Sequence, residues 1–198
     1  HMDFHQTMER LNESFLTFVN KVPFYGLAVL CIDNPNVRAV LPKVRKRFAT
    51  YGLSPDADFS VQDLHPKAGG VGFTVLHHGK SLGQLKLQLP GRYSATNALA
   101  AVTVAHELEI PFCRTAEALA AFNGIHRRFE IKGQTRDVLV IDDYGHHPVE
   151  VRATIGAIRE SWKRPLTVIF QPHRYSRTQD LFDDFLTAFE GADRVVLT

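Results

Sequence analysis

The sequence predicts an α/β protein whose later part is a parallel sheet covered by helices. Two observations carry this. From Val138 onward, strand and helix patterns alternate over Val138–Asp142, Pro148–Ser161, Leu166–Phe170, Thr178–Glu190 and Arg194–Thr198. Such alternation implies right-handed βαβ units. Earlier, Asp58–Leu64, Val71–Leu76 and Ser81–Leu89 read as strands by alternation, and two helical segments follow them. A boundary between these two regimes is expected at Gly124–Arg128.

Taken in order, Met8, Leu11, Phe15, Phe18 and Val19 recur at helical spacing, giving an amphipathic helix that ends near Val22-Pro23. Gly26–Ile32 is a short apolar run read as a buried strand. Val37, Val40, Leu41 and Val44 share one face, which predicts a helix over Asn36–Arg47. After the three strands, Pro90-Gly91 closes the β region. Thr96–Leu108 is an Ala-rich helix with Asn97 in its first turn. Thr115–Asn123 is a second helix, with Thr115 as its N-cap and Gly124 as its C-cap. Gly79-Lys80-Ser81 resembles the end of a phosphate-binding loop. That loop needs a glycine at position 74, which is Thr74, and its flanks look like a hairpin, so the phosphate reading is rejected.

Bulk properties narrow the classes. The 198 residues carry a net charge of +2, so no bulk electrostatic affinity for nucleic acid or an anionic membrane is expected. No apolar run approaches the ~20 residues of a membrane span, and no signal peptide opens the chain. Cys31 and Cys113 are read as buried, reduced thiols of a cytoplasmic protein. Arg194–Thr198 is a strand pattern with nothing after it, so the chain is expected to be part of a longer protein.

The densest polar chemistry lies in two loops after strands, where open α/β sheets bind ligands. Asp142-Asp143-Tyr144-Gly145-His146-His147-Pro148 leaves one strand and opens a helix. A purely structural reading makes His147 an N-cap and Asp143 a turn former. Two Asp, two His and a Tyr exceed what a turn needs. The loop is therefore read as a ligand loop, with carboxylates for a ribose hydroxyl or Mg²⁺ and imidazoles for a substrate carboxylate or phosphate. Gln171–Thr178 leaves the next strand, and Arg174 and Arg177 within it suit a carboxylate or phosphate. His126-Arg127-Arg128-Phe129-Glu130 is a basic cluster at the boundary, able to clamp a nucleotide phosphate. Asn97 can present its amide to an adenine edge.

Together these segments resemble the Mur ligase family over nearly the whole chain. Asp142–Pro148 and Phe170–Thr178 are similar to the family's alanine-adding branch. Arg127–Glu130 resembles its junction motif, and Leu89–Ala101 its adenine-site helix. The resemblance implies a partial central ATPase domain over 1–124, followed over 125–198 by a partial Rossmann-like parallel-sheet domain that brings the amino acid. It implies ATP and Mg²⁺ as cofactors, and UDP-N-acetylmuramate and L-alanine as substrates of peptidoglycan precursor synthesis. The sugar-nucleotide's carboxylate would be phosphorylated, and the amine of alanine would then attack the acyl phosphate.

By position in those motifs, Asn97 would bind adenine, while Arg128 and Asp143 would hold ATP phosphate and ribose. Tyr144, His146, Arg174 and Arg177 would line the alanine and acyl-phosphate side, and Arg128, His146, Arg174 and Arg177 would be the catalytic set. His1 matches a family His-x-Asp metal ligand, or is a tag remnant. Two departures stand out: Tyr93 occupies a position that usually carries Asn, and Arg127 stands where many relatives have His. Competing readings are a ligase that attaches a whole tripeptide, a metal-dependent hydrolase built on Asp142, Asp143, His146, His147 and His173, and a nucleotide-binding regulatory module. This stretch lacks a phosphate loop and a UDP-binding domain, so by itself it is expected to show no ligase turnover.

Overall fold

The computed structural model describes His5 and residues 7–198. His1 lies outside the described residues, and so does the cation role assigned to it. The chain divides into two compact units. The first comprises the chain up to Leu64, Phe73–Leu85 and Ala95–Leu119; the second comprises His65–Gly72, Lys86–Ser94 and Ala120–Thr198.

The first helix, α1, runs Met8–Val19. Thr7 caps it, accepting from the Arg10 N–H at 3.3 Å, and Glu9 suits the positive end of the helix dipole. Strand β1 (Ala28–Cys31) leads to helix α2 (Pro35–Val40), which Asn34 caps by accepting from the Asn36 N–H at 2.9 Å. The sequence predicts this helix as far as Arg47. It stops instead in a 3-10 turn over Leu41–Lys43, because Pro42 offers no N–H to continue the ladder. The residues thus released form an unforeseen strand, β2 (Phe48–Tyr51), parallel to β1 with Ala28 opposite Phe48.

Strands β3 (Phe59–Lys67), β4 (Gly70–His77) and β5 (Lys80–Leu87) complete a sheet in the order β1-β2-β3-β4-β5. Between β4 and β5, His78 (φ 48°) and Gly79 (φ 74°) are both left-handed, as a tight hairpin turn requires. Gly79-Lys80-Ser81 is therefore a turn feeding a strand. Helices α3 (Arg92–Glu107) and α4 (Phe112–Ala121) follow. Both start earlier than their patterns suggest. Thr115 lies buried inside α4, its hydroxyl donating to the Pro111 carbonyl at 3.5 Å, so it is no N-cap. Val75, Leu85, Leu99 and Val102 are the most deeply buried large apolar side chains of this unit. Both cysteines are free; Cys31 is half-buried and Cys113 exposed, since Cys113 lies off the face of α4 that buries Thr115.

Beyond Ala120, the second unit holds a hairpin that the sequence hides. Strand β6 (Glu130–Thr135) pairs antiparallel with β7 (Val138–Asp142), with an irregular register between Ile131 and Gly133. Polar Lys132, Gln134 and Thr135 remove the apolar alternation that would have marked β6. Helix α5 (Pro148–Ser161), strand β8 (Thr167–Phe170), helices α6 (Tyr175–Asp180) and α7 (Phe182–Ala188) and strand β9 (Arg194–Leu197) follow. The single helix expected over Thr178–Glu190 is two, broken where Leu181 leaves helical geometry at φ −114° and ψ 23°. β8 and β9 are parallel, Thr167 facing Arg194, which is the Rossmann-like crossover expected there. Val151, Ile155, Phe170 and Ala188 form its core, with Leu166, Val168, Phe185 and Phe189 packed around them. Arg159 sets the strand register from outside, bonding Asp193 at 2.6 Å while Asp193 also accepts from the Leu166 N–H at 2.6 Å.

The first unit also collects three imidazoles. His77 stacks on Phe59 at 4.3 Å between ring centroids, with His78 at 4.3 Å and His106 at 4.5 Å. Burial pushes the His77 pKa down, and His106 and His78 act in the same direction, against Asp58. A histidine with a lowered native pKa takes its proton more readily when unfolded. Its stabilising contribution is complete above about pH 6.5 and is lost as pH falls towards the native value. The thermal midpoint should therefore drop between pH 7.5 and 5.5, and His77→Phe should flatten that slope. An unchanged slope in the variant would remove His77 as its source.

Candidate functional site

Both sequence-selected loops lie in the second unit. The segment Ile125–Phe129, inside the second unit, precedes them and bends sharply. Arg127 (φ 58°) and Phe129 (φ 47°) are left-handed non-glycine residues, a conformation that costs about 1 kcal/mol or more each and survives only where other contacts impose it. Those contacts are present. Glu130 accepts from the Arg127 N–H at 2.8 Å and pairs with His126 at 2.8 Å and Lys132 at 2.9 Å. The Arg127 N–H, then the Lys132 and His126 side chains, hold the Glu130 carboxyl down to about 2. The Phe129 ring is 4% exposed and lies parallel to Trp162 at 6.1 Å.

Asp143 binds this bend to the loop after β7. One carboxylate oxygen accepts from the Phe129 N–H at 2.8 Å and the other from the Gly145 N–H at 2.7 Å. A Cβ on residue 145 would meet Asp143 Oδ1 at 2.8 Å, so only glycine lets the loop close this tightly. Each carboxylate oxygen keeps a second lone pair, enough to accept one ribose hydroxyl. Between these anchors the Tyr144 N–H donates to the Arg127 carbonyl at 2.7 Å. The half-exposed Tyr144 ring then lies under two guanidiniums, Arg127 at 4.8 Å and Arg128 at 5.8 Å.

Glu150, in the first turn of α5, organises the rest. Its Oε2 accepts from the His146 N–H at 2.9 Å and the His147 N–H at 3.1 Å, while Oε1 accepts from Arg128 Nη1 at 3.4 Å. Burial alone would raise the Glu150 pKa; the two N–H donors, His146 and Arg128 outweigh it and leave the carboxyl below its ordinary value. His146 Nδ1 is 3.0 Å from the Tyr144 carbonyl. A carbonyl only accepts, so that geometry assigns the proton to Nδ1 and leaves Nε2 as the acceptor nitrogen. His147 is the N-cap of α5, its Nδ1 accepting from the Val149 N–H at 3.3 Å. Burial lowers the His147 pKa, with Arg177 acting in the same direction against Glu150 and Asp184. The neutral ring that the cap requires is thereby favoured.

The second loop is more open. Arg174 enters α6 in the left-handed region (φ 68°) with its side chain exposed; Arg177 is half-buried and donates to the His173 carbonyl at 3.3 Å. The charge of Arg177 acts on the His147 ring across the gap between the two loops. Of the residues singled out from sequence, Arg128, Asp143, Tyr144 and His146 are joined in one cluster, and Arg177 acts electrostatically on His147 beside it. Arg174 edges the same loop. Asn97 belongs to the first unit, exposed in the second turn of α3 and not the first, because that helix begins at Arg92.

Two contributors escaped the sequence reading. Glu150 reads in the sequence only as an acid near a helix start, although a His-x-x-Glu spacing there is a capping-box signal. Tyr93 was noted only as a replaced asparagine. Burial pushes its phenol up to about 12, and Asp143 adds to the effect against Ser94 and Arg128.

For metals the geometry is unhelpful. Among the described residues, no group of three His, Cys, Asp or Glu side chains converges on a common point. Asp143 is committed to backbone donors, and His147 to its cap. Among the described residues, the five of the hydrolase reading do not form a cation cage.

Two family models match the chain, the Mur ligase middle domain over residues 1–105 and the Mur ligase glutamate ligase domain over residues 127–198. The chain belongs to the Mur ligase family. A UDP-N-acetylmuramate–L-alanine ligase of Syntrophotalea carbinolica is 50% identical over 197 residues, covering 100% of this chain and 43% of that protein. One of Geotalea uraniireducens is 48% identical over 198 residues, with the same coverage of 100% and 43%. The crystal structure of a UDP-N-acetylmuramate-alanine ligase of Thermotoga maritima superposes with a TM-score of 0.79 at 26% identity, covering 100% of this chain and 43% of that one. The chain thus spans under half the length of the curated relatives it matches. The α/β fold with Rossmann-like parallel pairing is that of Mur ligases.

Asp143 gives a direct test of this geometry. Asp143→Ala strands two backbone donors and should cost about 1–3 kcal/mol of stability, read from the denaturant midpoint. Asp143→Asn, which keeps one acceptor oxygen, should cost less. Equal loss in both would mean that the charge and not the hydrogen bonds holds the bend.

Proposed function

We propose that the protein carrying this chain is an ATP-dependent ligase that joins L-alanine to UDP-N-acetylmuramate in peptidoglycan precursor synthesis. The observation that carries the reading is the cluster of Arg128, Asp143, Tyr144 and His146 on one surface of the second unit. The names borne by relatives near 50% identity support it. In this reading, residues 1–124 are the later part of a central ATP-binding domain and 125–198 the first half of an amino-acid-binding domain, at work in the cytoplasm. No helix among the described residues is long and apolar enough to cross a membrane.

The chemistry assigns each residue a task. The sugar-nucleotide's carboxylate oxygen attacks the γ-phosphorus of ATP, ADP leaves, and an acyl phosphate forms. Arg128 offers its guanidinium to the nucleotide phosphates, Asp143 its spare lone pairs to the ribose, and Asn97 its amide to adenine. L-alanine presents little beyond a carboxylate and an amine, so Arg174 and Arg177 bind the former. His146, with its proton fixed on Nδ1 by the Tyr144 carbonyl, directs Nε2 to accept a proton as the amine attacks the acyl carbon and phosphate departs. The ring of Tyr144, at 5.3 Å from that of His146, walls this side. Mg²⁺ is expected in the whole enzyme; none of these tasks is routed through it.

Phosphate release by the full-length protein with ATP, Mg²⁺ and UDP-N-acetylmuramate should depend on L-alanine and not on the tripeptide. Arg177→Ala should raise the KM for L-alanine on the order of 10-fold or more, the loss of a charge-assisted carboxylate contact. Release only with the tripeptide would move the protein to the recycling branch, and release with neither would sink the reading.

A further inference from the structure

We propose that Glu150 is a positioning residue that sets the nucleotide side and the amino-acid side of the site with a single carboxylate. This rests on the ligase reading of the same surface. Two functions meet on one side chain. Oε2 fixes the His146 and His147 N–H groups at 2.9 and 3.1 Å, and it lies 3.6 Å from His146 Nδ1. Oε1 pairs with Arg128 Nη1 at 3.4 Å. The side chain is about one-third exposed, at 34%, so the Arg128 pair is partly shielded from solvent.

A capping box alone does not need this arrangement. The His147 cap and the Glu150 bond to the His147 N–H already complete the reciprocal pattern. The His146 N–H and the Arg128 guanidinium are additional, and they belong to the residues assigned to opposite substrates. Arg128 reaches Glu150 from the strained bend, and His146 reaches it from the loop after β7. A shift of the α5 N-terminus therefore moves both groups together, so the phosphate-side charge and the amine-side imidazole stay in register. Displacements of an ångström at a reacting centre change rates by one or two orders of magnitude, which gives such a tether its value.

Glu150→Gln separates the roles. Its amide oxygen can still accept from the two backbone N–H groups, while its NH₂ group faces the Arg128 donor and cannot bind it. In the full-length protein, Glu150→Gln should lower kcat/KM for L-alanine and raise the KM for ATP, each on the order of 10-fold. Its thermal midpoint should stay within about 2 °C of the parent. Glu150→Ala should lose the midpoint as well. In an Arg128→Ala background, Glu150→Gln should have no further effect on the KM for ATP, because the two residues act as one unit. Parent-like KM values in Glu150→Gln, or effects that multiply in the double variant, would reduce Glu150 to a helix cap and overturn the proposal. A parent protein without L-alanine-dependent phosphate release would instead overturn the ligase reading, and this proposal with it.

Discussion

The Asp143 carboxylate is the interaction on which the second unit's chemistry depends. Its two oxygens hold the N–H groups of Phe129 and Gly145, residues that belong to separate segments. That bridge adds to the Glu130 carboxylate, which holds the Arg127 N–H, in imposing the left-handed geometry at Arg127 and Phe129. Burial of the Phe129 ring beside Trp162 acts from the other side of the same bend. The strained bend is thus held by one buried aromatic and two carboxylates, and it sets two guanidiniums over one phenol ring.

Structural and chemical roles are not divided among different residues here. His147 caps α5, Asp143 shapes the turn and Glu150 closes the capping box, as a purely architectural reading of the loop demands. Beside these bonds, the Tyr144 carbonyl fixes the tautomer of His146 and the second oxygen of Glu150 holds Arg128. Turn chemistry does not compete with the proposed ligand chemistry of this loop: a side chain committed to the backbone cannot wander, and so its neighbours are aimed.

How much of this was legible in the sequence follows from where the signals lie. The loops after β7 and β8 announce themselves because several polar residues crowd into positions that need few, and the apolar runs before them mark the strands. β6 was hidden because Lys132, Gln134 and Thr135 carry no alternation. β2 was hidden because the helical face of Val37, Val40, Leu41 and Val44 runs up to it, and the stop signal, Pro42, sits inside that face. Thr115 looked like a cap because helix starts favour threonine, yet Pro111 sets the true start and Thr115 turns inward. Glu150 was visible as an acid near a helix start. Its link to Arg128 spans 22 residues of chain, and no local pattern encodes it.

The left-handed backbone at Arg174 has a consequence for protein engineering. Glycine would relax that conformation, since a backbone without Cβ adopts it at little cost. The same holds at Arg127. A selection that rewards only heat resistance would therefore drift toward glycine or asparagine at these two places, gaining a few tenths to about 1 kcal/mol at each. On the ligase reading, each such gain would strip a cation from the surface proposed to gather anionic ligands. Variants of this chain ranked by melting temperature alone would be enriched in molecules that fold well and recognise little.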